Sequence, residues 1–361
     1  MGSYRPRSIW KIVMTDILLG ALILGVTVFF ELGLPILRAR MTPAPTALPV
    51  VAAPSATPAP TATPAPEESN PAPVETAMPE LAGTPETTPE PTEDPRTAWQ
   101  IKFAEHFSEE TVITDHSYTS PQVSIQLETR EFGEGDRKSV YHVADIYVAS
   151  LDNFRTYTAN NELRYFSTQD AMEMDAASHA ILAISGDFYS YQPKGFLMRN
   201  GQLYMSDQTY CDLCVLYTDG TMAVYGREDY TVQEILDRGI VQAWNFGPSL
   251  LDENGLVKPD YELSTAVSYP NPRSAVGYYE PGHYCFVVVD GRQDGYSYGM
   301  TVPELARVFQ DLGCKVAYNL DGGGSALMTF LHERYSRQSN GAGRELGDIL
   351  LITEDGWEEK R

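Results

Sequence analysis

The run Val316-Ala317-Tyr318-Asn319-Leu320-Asp321-Gly322-Gly323-Gly324-Ser325 passes from five strand-forming positions to one carboxylate and three consecutive glycines. Three glycines in a row lose much backbone entropy on ordering, so they are a poor choice for a mere connection. They are expected where backbone turns sharply or lies against a ligand, with Asp321 carried out of the core at the strand's end. Successive N–H groups of Gly322, Gly323 and Gly324 would form an anion-binding nest, and Ser325 would add a hydroxyl donor. The run is not a P-loop, because the lysine that completes one is missing.

Two further apolar runs end in the same way. Residues 183–187 read Ala-Ile-Ser-Gly-Asp, and residues 288–292 read Val-Val-Asp-Gly-Arg. If the three ends lie side by side, Asp187, Asp290 and Asp321 share one cleft with Arg292. A single Asp-Gly is also an ordinary turn, and for Asp290 alone that is the simpler reading. Arg273 supplies a second guanidinium and Arg344 a third, each a planar fork suited to phosphate oxygens. In a chain of net charge −23 these arginines have a plain alternative, pairing with carboxylates. Phe188, Tyr189 and Tyr191 offer an apolar wall for a sugar ring, and core packing is the competing role, more for Phe188 than for the tyrosines.

Working outward, strand spacing is read at 123–127, 142–148, 154–158 and 180–184, and a short helix at 171–177. Residues 213–217 and 222–225 flank Asp219-Gly220, a hairpin signal. Thr231 with Glu234, and Thr301 with Glu304, are capping boxes that start helices ended by Gly239 and Gly313. Strands at 274–278, 285–289, 316–320 and 348–353 complete an α+β domain with a mixed β-sheet core and a few helices.

The first 96 residues differ in kind. Residues 17–37 are apolar but for Glu31 and reach about 20 residues, the length of a bilayer-spanning helix. Arg5, Arg7 and Lys11 ahead of them favour a cytoplasmic N-terminus (1–16) and an extracellular domain, although Arg38 and Arg40 follow the span. A cleaved signal peptide is the rival reading, but no small-x-small site directly follows. Residues 38–96 repeat Pro, Thr and Ala and lack the apolar residues for a core, so a disordered stalk is expected. As polyproline II, residues 41–96 would reach on the order of 170 Å, at ~3.1 Å per residue.

The acidic charge argues against nucleic acid as a partner. Cys211, Cys214, Cys285 and Cys314 allow three pairings, among which the sequence does not choose; a local Cys211–Cys214 bridge and a core position for Cys285 are both expected. The histidines form no His-Glu-x-x-His pair and Ser325 lies outside a Gly-x-Ser-x-Gly elbow, which sets aside zinc hydrolases and nucleophile-elbow serine hydrolases. No cofactor is required by the sequence, while three gathered aspartates leave room for a divalent cation, Ca or Mg.

At these residues the chain resembles the phosphodiester glycosidase family. The likeness runs in order through Ser-Gly-Asp-Phe-Tyr at 185–189, Gly247-Pro248, Asn-Pro-Arg-Ser-Ala-Val-Gly at 271–277, Asp290-Gly291-Arg292, Gly299-Met300-Thr301 with Glu304-Leu305-Ala306, and Asn-Leu-Asp-Gly-Gly-Gly-Ser at 319–325. Ser185 stands where the family commonly has Asn, and 340–344 follow the late Asn and Arg segment only loosely. The resemblance implies a catalytic domain over 178–353, with 97–177 a β-rich opening segment and 354–361 a polar tail. It implies a hydrolase of sugar-1-phosphodiester or related glycosidic linkages in envelope or exopolysaccharide glycans; the anchor and stalk lie outside the family domain, and with them the enzyme is expected to be extracytoplasmic and held to the membrane through the N-terminal helix. Asp321 would be the leading catalytic carboxylate, with Asp187 its partner and Asp290 beside them. Arg273, Arg292, Arg344, Asn319, Gly322, Gly323, Gly324, Ser325 and Tyr189 would hold the glycan or sugar-phosphate. The alternative is a non-catalytic glycan-binding or envelope scaffold module using the same cleft.

Overall fold

A computed structural model describes residues 94, 96–192, 194–339 and 343–360; the expected membrane span and almost all of the stalk lie outside them. Among the described residues no helix is long and apolar enough to cross a membrane. The core is mostly sheet, and every strand pairing among these residues is antiparallel, so the expected mixed sheet resolves into three antiparallel sheets.

The largest sheet has seven strands in the order Val112–Thr114, Ser117–Thr119, Val123–Phe132, Ser139–Val148, His283–Val289, Arg273–Glu280, Val316–Leu320. Alternation along His283–Val289 explains why it is buried on both sides. Phe286 and Val288 face the main core, whereas Cys285, Val287 and Val289 face a second cluster with Leu305, Val308 and Phe309. Those three residues come from the helix Val302–Leu312, whose apolar positions fall on one face. Its Thr301–Glu304 capping box and its Gly313 terminator, at φ 81°, are both present.

A five-stranded sheet runs Glu333–Arg334, Met328–Phe330, Leu182–Ser185, Asp348–Ile352, Phe154–Thr158. The other five-stranded sheet runs Met222–Tyr225, Leu213–Tyr217, Ile240–Asn245, Phe196–Arg199, Gln202–Ser206, and contains the hairpin expected at Asp219-Gly220. Leu182, Ile184, Leu350 and Phe154 from one, and Leu216 and Trp244 from the other, meet Ile125, Val276 and Phe286 in one continuous core.

Residues 97–177 are integral to these sheets. Ser139–Val148 pairs with His283–Val289, and Phe154–Thr158 pairs with Asp348–Ile352. The polar tail expected at 354–361 is instead docked over its described residues. Trp357 is buried and donates from Nε1 to His179 O at 2.7 Å, while buried Glu354 accepts from Tyr118 Oη at 2.7 Å. The sulfurs that meet are those of Cys285 and Cys314, 3.5 Å apart, whereas Cys211 and Cys214 form no bridge and Cys214 packs into the core.

Candidate active site

The three aspartate tips do gather at one end of the sheets, for a reason visible in the pairing. Arg273 at the start of its strand is level with Val289, and Ser274 is level with Leu320. The ends that release Asp290 and Asp321 therefore flank the start of the strand between them, on the order of 10 Å apart across two strand spacings. The tip from Leu182–Ser185 is joined to them by hydrogen bonds. Asp321 N donates to Gly186 O at 3.0 Å. Ser185 Oγ donates to Asp321 O at 2.9 Å and lies 2.6 Å from Ser274 Oγ.

At the centre, the Asp321 side chain keeps 12% of its surface exposed. Its Oδ2 accepts from Ser325 Oγ at 2.7 Å and from Arg344 Nη2 in a charge-assisted contact, and Oδ1 takes no hydrogen bond among the described residues. Burial raises the Asp321 pKa above the usual carboxylate range, with Arg344 and Ser325 opposing and Asp187 adding to the rise. The glycine turn is needed sterically. A Cβ on Gly322 would stand 2.6 Å from Pro272 O, and Gly323 has φ 62° with the Arg292 Nη2 only 3.2 Å from where a Cβ would sit. Arg292 is held in this pose by Asn271 Oδ1, which accepts from its Nη2 at 2.6 Å. On the other side, the Arg344 guanidinium lies 5.5 Å from the Phe188 ring centre, and Phe188 stacks on Tyr191 at 4.6 Å. The Asp321 carboxylate thus contacts one guanidinium that lies over an aromatic platform, while a second guanidinium, Arg292, stands beside the glycine turn.

Residues 178–353 match the sequence profile described as phosphodiester glycosidase. This segment carries the phosphodiester glycosidase sequence pattern. The SPbeta prophage-derived uncharacterized protein YomE of Bacillus subtilis (strain 168) is 27% identical over 198 residues, which cover 52% of this chain and 31% of that protein. The chain thus spans about a third of that relative's length. In fold, the chain is similar to the zebrafish N-acetylglucosamine-1-phosphodiester alpha-N-acetylglucosaminidase catalytic domain, auto-inhibited by pro-peptide. The TM-score is 0.55 at 21% identity, over 68% of this chain and 88% of that one.

Within this segment, several expected ligand-binding residues have other work. The Asp187 side chain is sealed from solvent, with Oδ1 accepting from Tyr189 N and Oδ2 from Asn245 N, each at 2.9 Å. Arg199 Nη2 lies 2.9 Å from Asp187 Oδ2 and 2.8 Å from Asp348 Oδ2. A carboxylate so enclosed positions its neighbours and does not touch a substrate. Asp290 is likewise buried, with Oδ2 taken up by His142 Nε2 at 3.0 Å and Tyr296 Oη at 2.9 Å. Among the described residues no group of three His, Cys, Asp or Glu side chains is placed to hold a metal ion.

Arg273 is buried and donates to Met300 O, Val267 O and Tyr269 O at 2.9, 2.7 and 2.9 Å; burial, helped by Arg292, lowers its pKa to about 10. It braces a loop instead of gripping phosphate. Asn319 is buried and its Nδ2 donates to Gly247 O at 2.8 Å. Tyr189 is buried with its hydroxyl on Gly347 O, so the ring wall is Phe188 with Tyr191; Tyr191 is placed as expected, while Phe188 and Tyr189 exchange their expected roles. The nest is partly spent, since Gly323 N donates to Pro272 O and Ser325 N to Gly322 O.

Sequence reasoning missed Arg199 and Asp348. The only signal was a charge at the end of a short apolar strand, Phe196–Arg199, and another at the start of Asp348–Ile352. Buried charges of opposite sign require each other, but nothing in the sequence says which will meet.

Proposed function

We propose that this chain hydrolyses sugar-1-phosphodiester linkages by attack at the anomeric carbon, with Asp321 as the one carboxylate in direct contact with the reaction. Support comes from Asp321 being the one aspartate of the three whose side chain keeps a measurable exposure, 12%, paired with Arg344 over the Phe188–Tyr191 platform and followed by the glycine turn beside Arg292. Ordinary glycoside hydrolysis uses two carboxylates, because an alcohol leaving group must be protonated. A phosphodiester oxygen leaves as a stabilised anion and needs no acid, so one accessible carboxylate suffices. Asp321 removes a proton from water, the water oxygen bonds to the anomeric carbon, and the carbon–oxygen bond to phosphate breaks. The departing phosphomonoester carries its electron pair away, and Arg292 with the glycine turn offsets its charge. Asp187, Arg199 and Asp348 keep the strand tips in place. The substrate class is that of envelope or exopolysaccharide glycans, and the catalytic domain works outside the cytoplasm on the anchor and stalk expected from residues 17–96.

The test is hydrolysis of a sugar-1-phosphodiester in 18O-labelled water by the full chain and by Asp321→Asn. The label is expected in the free sugar, with turnover lost in the variant. Label in the phosphate would mean a phosphodiesterase, full turnover by the variant would remove Asp321, and glycan binding without any product would favour a binding module.

A further inference from the structure

We propose that the cavity beside Arg292 is a second anion subsite, built by Arg334 and Arg337, and that the preferred substrate is accordingly a glycan carrying more than one phosphate. This rests on the sugar-1-phosphodiester reading of the site. The cavity encloses about 530 Å³ and is lined in part by Arg292, Arg334, Arg337 and Gln338. Arg334 and Arg337 are exposed, and none of the three arginines forms an ion pair with a described residue. Three guanidiniums without a carboxylate partner are thus gathered at one cavity in a chain of net charge −23. Asp294, also on the rim, pairs with none of them.

The cavity is also built. Asp290, which has no place for a substrate, ties its walls together. Its Oδ1 accepts from Arg337 N at 2.9 Å, and its Oδ2 accepts from Tyr296 Oη at 2.9 Å. The Arg337 guanidinium then rests 4.7 Å from the Tyr296 ring centre, and Gln293 Nε2 donates to Arg337 O at 2.8 Å. Two polar atoms of lining residues, Gln338 Oε1 and Ser339 Oγ, are buried with no hydrogen-bond partner among the described residues, and Gln338 is only 8% exposed. The Ser339 hydroxyl is a donor that an anion would satisfy, and half a turn of the Gln338 amide would offer an N–H as well. Arg292 faces both Gly323 and this cavity, so an anion here sits on a continuous path from the reacting phosphate. The volume exceeds one phosphate several-fold, room for a further repeat of a phosphate-linked chain. Planar guanidinium forks match phosphate oxygens in pairs, which favours phosphate over lone carboxylates.

Calorimetric titration of the full chain with inorganic tripolyphosphate, in parallel with Arg334→Gln/Arg337→Gln, is the direct experiment. Binding is expected to weaken as salt rises from about 50 to 200 mM, and the double variant to lose on the order of tenfold in affinity at an unchanged unfolding temperature. Single Arg337→Gln serves if the double variant is unstable. In turnover, the variant should lose about tenfold more kcat/KM on a sugar-1-phosphodiester bearing a second phosphate than on one without. Unchanged tripolyphosphate binding in the variant, tighter binding of a uronic acid trimer than of tripolyphosphate, or equal losses on the two substrates overturns the proposal. Absence of turnover by the unmodified chain on both substrates refutes the glycosidase reading instead, and the titration alone then decides the subsite.

Discussion

The ends of Leu182–Ser185 and Val316–Leu320 are written in the same grammar, an apolar strand with Asp and Gly at its tip, yet their carboxylates have opposite fates. Asp187 is enclosed with Arg199 and Asp348, where burial pushes the Asp348 carboxyl up to about 7 against the pull of Arg199. Asp321 shares its charge with Arg344, whose own side chain is 49% exposed, and so keeps a face open to solvent. An aspartate with a buried cation becomes structural; one with a surface cation stays available for chemistry.

The largest effect should separate the two by activity. Asp321→Asn is expected to lower kcat/KM by at least about 10³-fold while the denaturant midpoint stays put; a loss below tenfold would place the chemistry elsewhere. Removing the buried cation should separate them by stability. Arg199→Met leaves Asp187 and Asp348 facing each other without a counter-charge and should cost about 3–5 kcal/mol in urea unfolding. A cost near zero would mean that the pair is neutral in the fold.

The pH dependence sharpens the contrast. As a base, Asp321 must be ionised, so kcat/KM should fall as pH drops through its raised pKa. Arg344 opposes that rise, so Arg344→Gln should move the acid limb to higher pH, which a pH–rate profile reads directly. A limb that shifts downward would dissociate Asp321 from the rate. The smallest effects are at the aromatic residues. Tyr191→Ala should raise KM by about fivefold through lost stacking of roughly 1 kcal/mol. Tyr189→Phe, which loses only its hydroxyl's bond to Gly347 O, should instead lower stability by about 1 kcal/mol and leave KM alone.

Much of the scaffold was legible because its signals are local. The helices at Ala171–Ala177, Val232–Arg238 and Val302–Leu312, the Asp219-Gly220 hairpin and the strand Val316–Leu320 fall where caps, turn residues and apolar runs placed them. Strands such as Phe196–Arg199, Gln202–Ser206 and Met328–Phe330 went unread, because they are short and take their stability from neighbours far along the chain. At the site, Asp321 and the glycine turn were legible from composition, since three glycines need an unusual backbone. The burial of Asp187, Arg273, Asn319 and Tyr189 was not, because a polar residue at a strand end reads the same whether it faces solvent or a partner.

By itself the sequence determined where the capped helices and the longer apolar strands lie, that three Asp-Gly tips exist, and that the chain would be acidic, since these follow from residue types and spacings within a few positions. Which tip stays open, which arginine is buried as a counter-ion and which are left to line a cavity was decided only by the tertiary structure. The reason is that solvation of a charge depends on what the fold brings against it, and those partners lie far along the chain, as Asp348 does at 161 residues from Asp187.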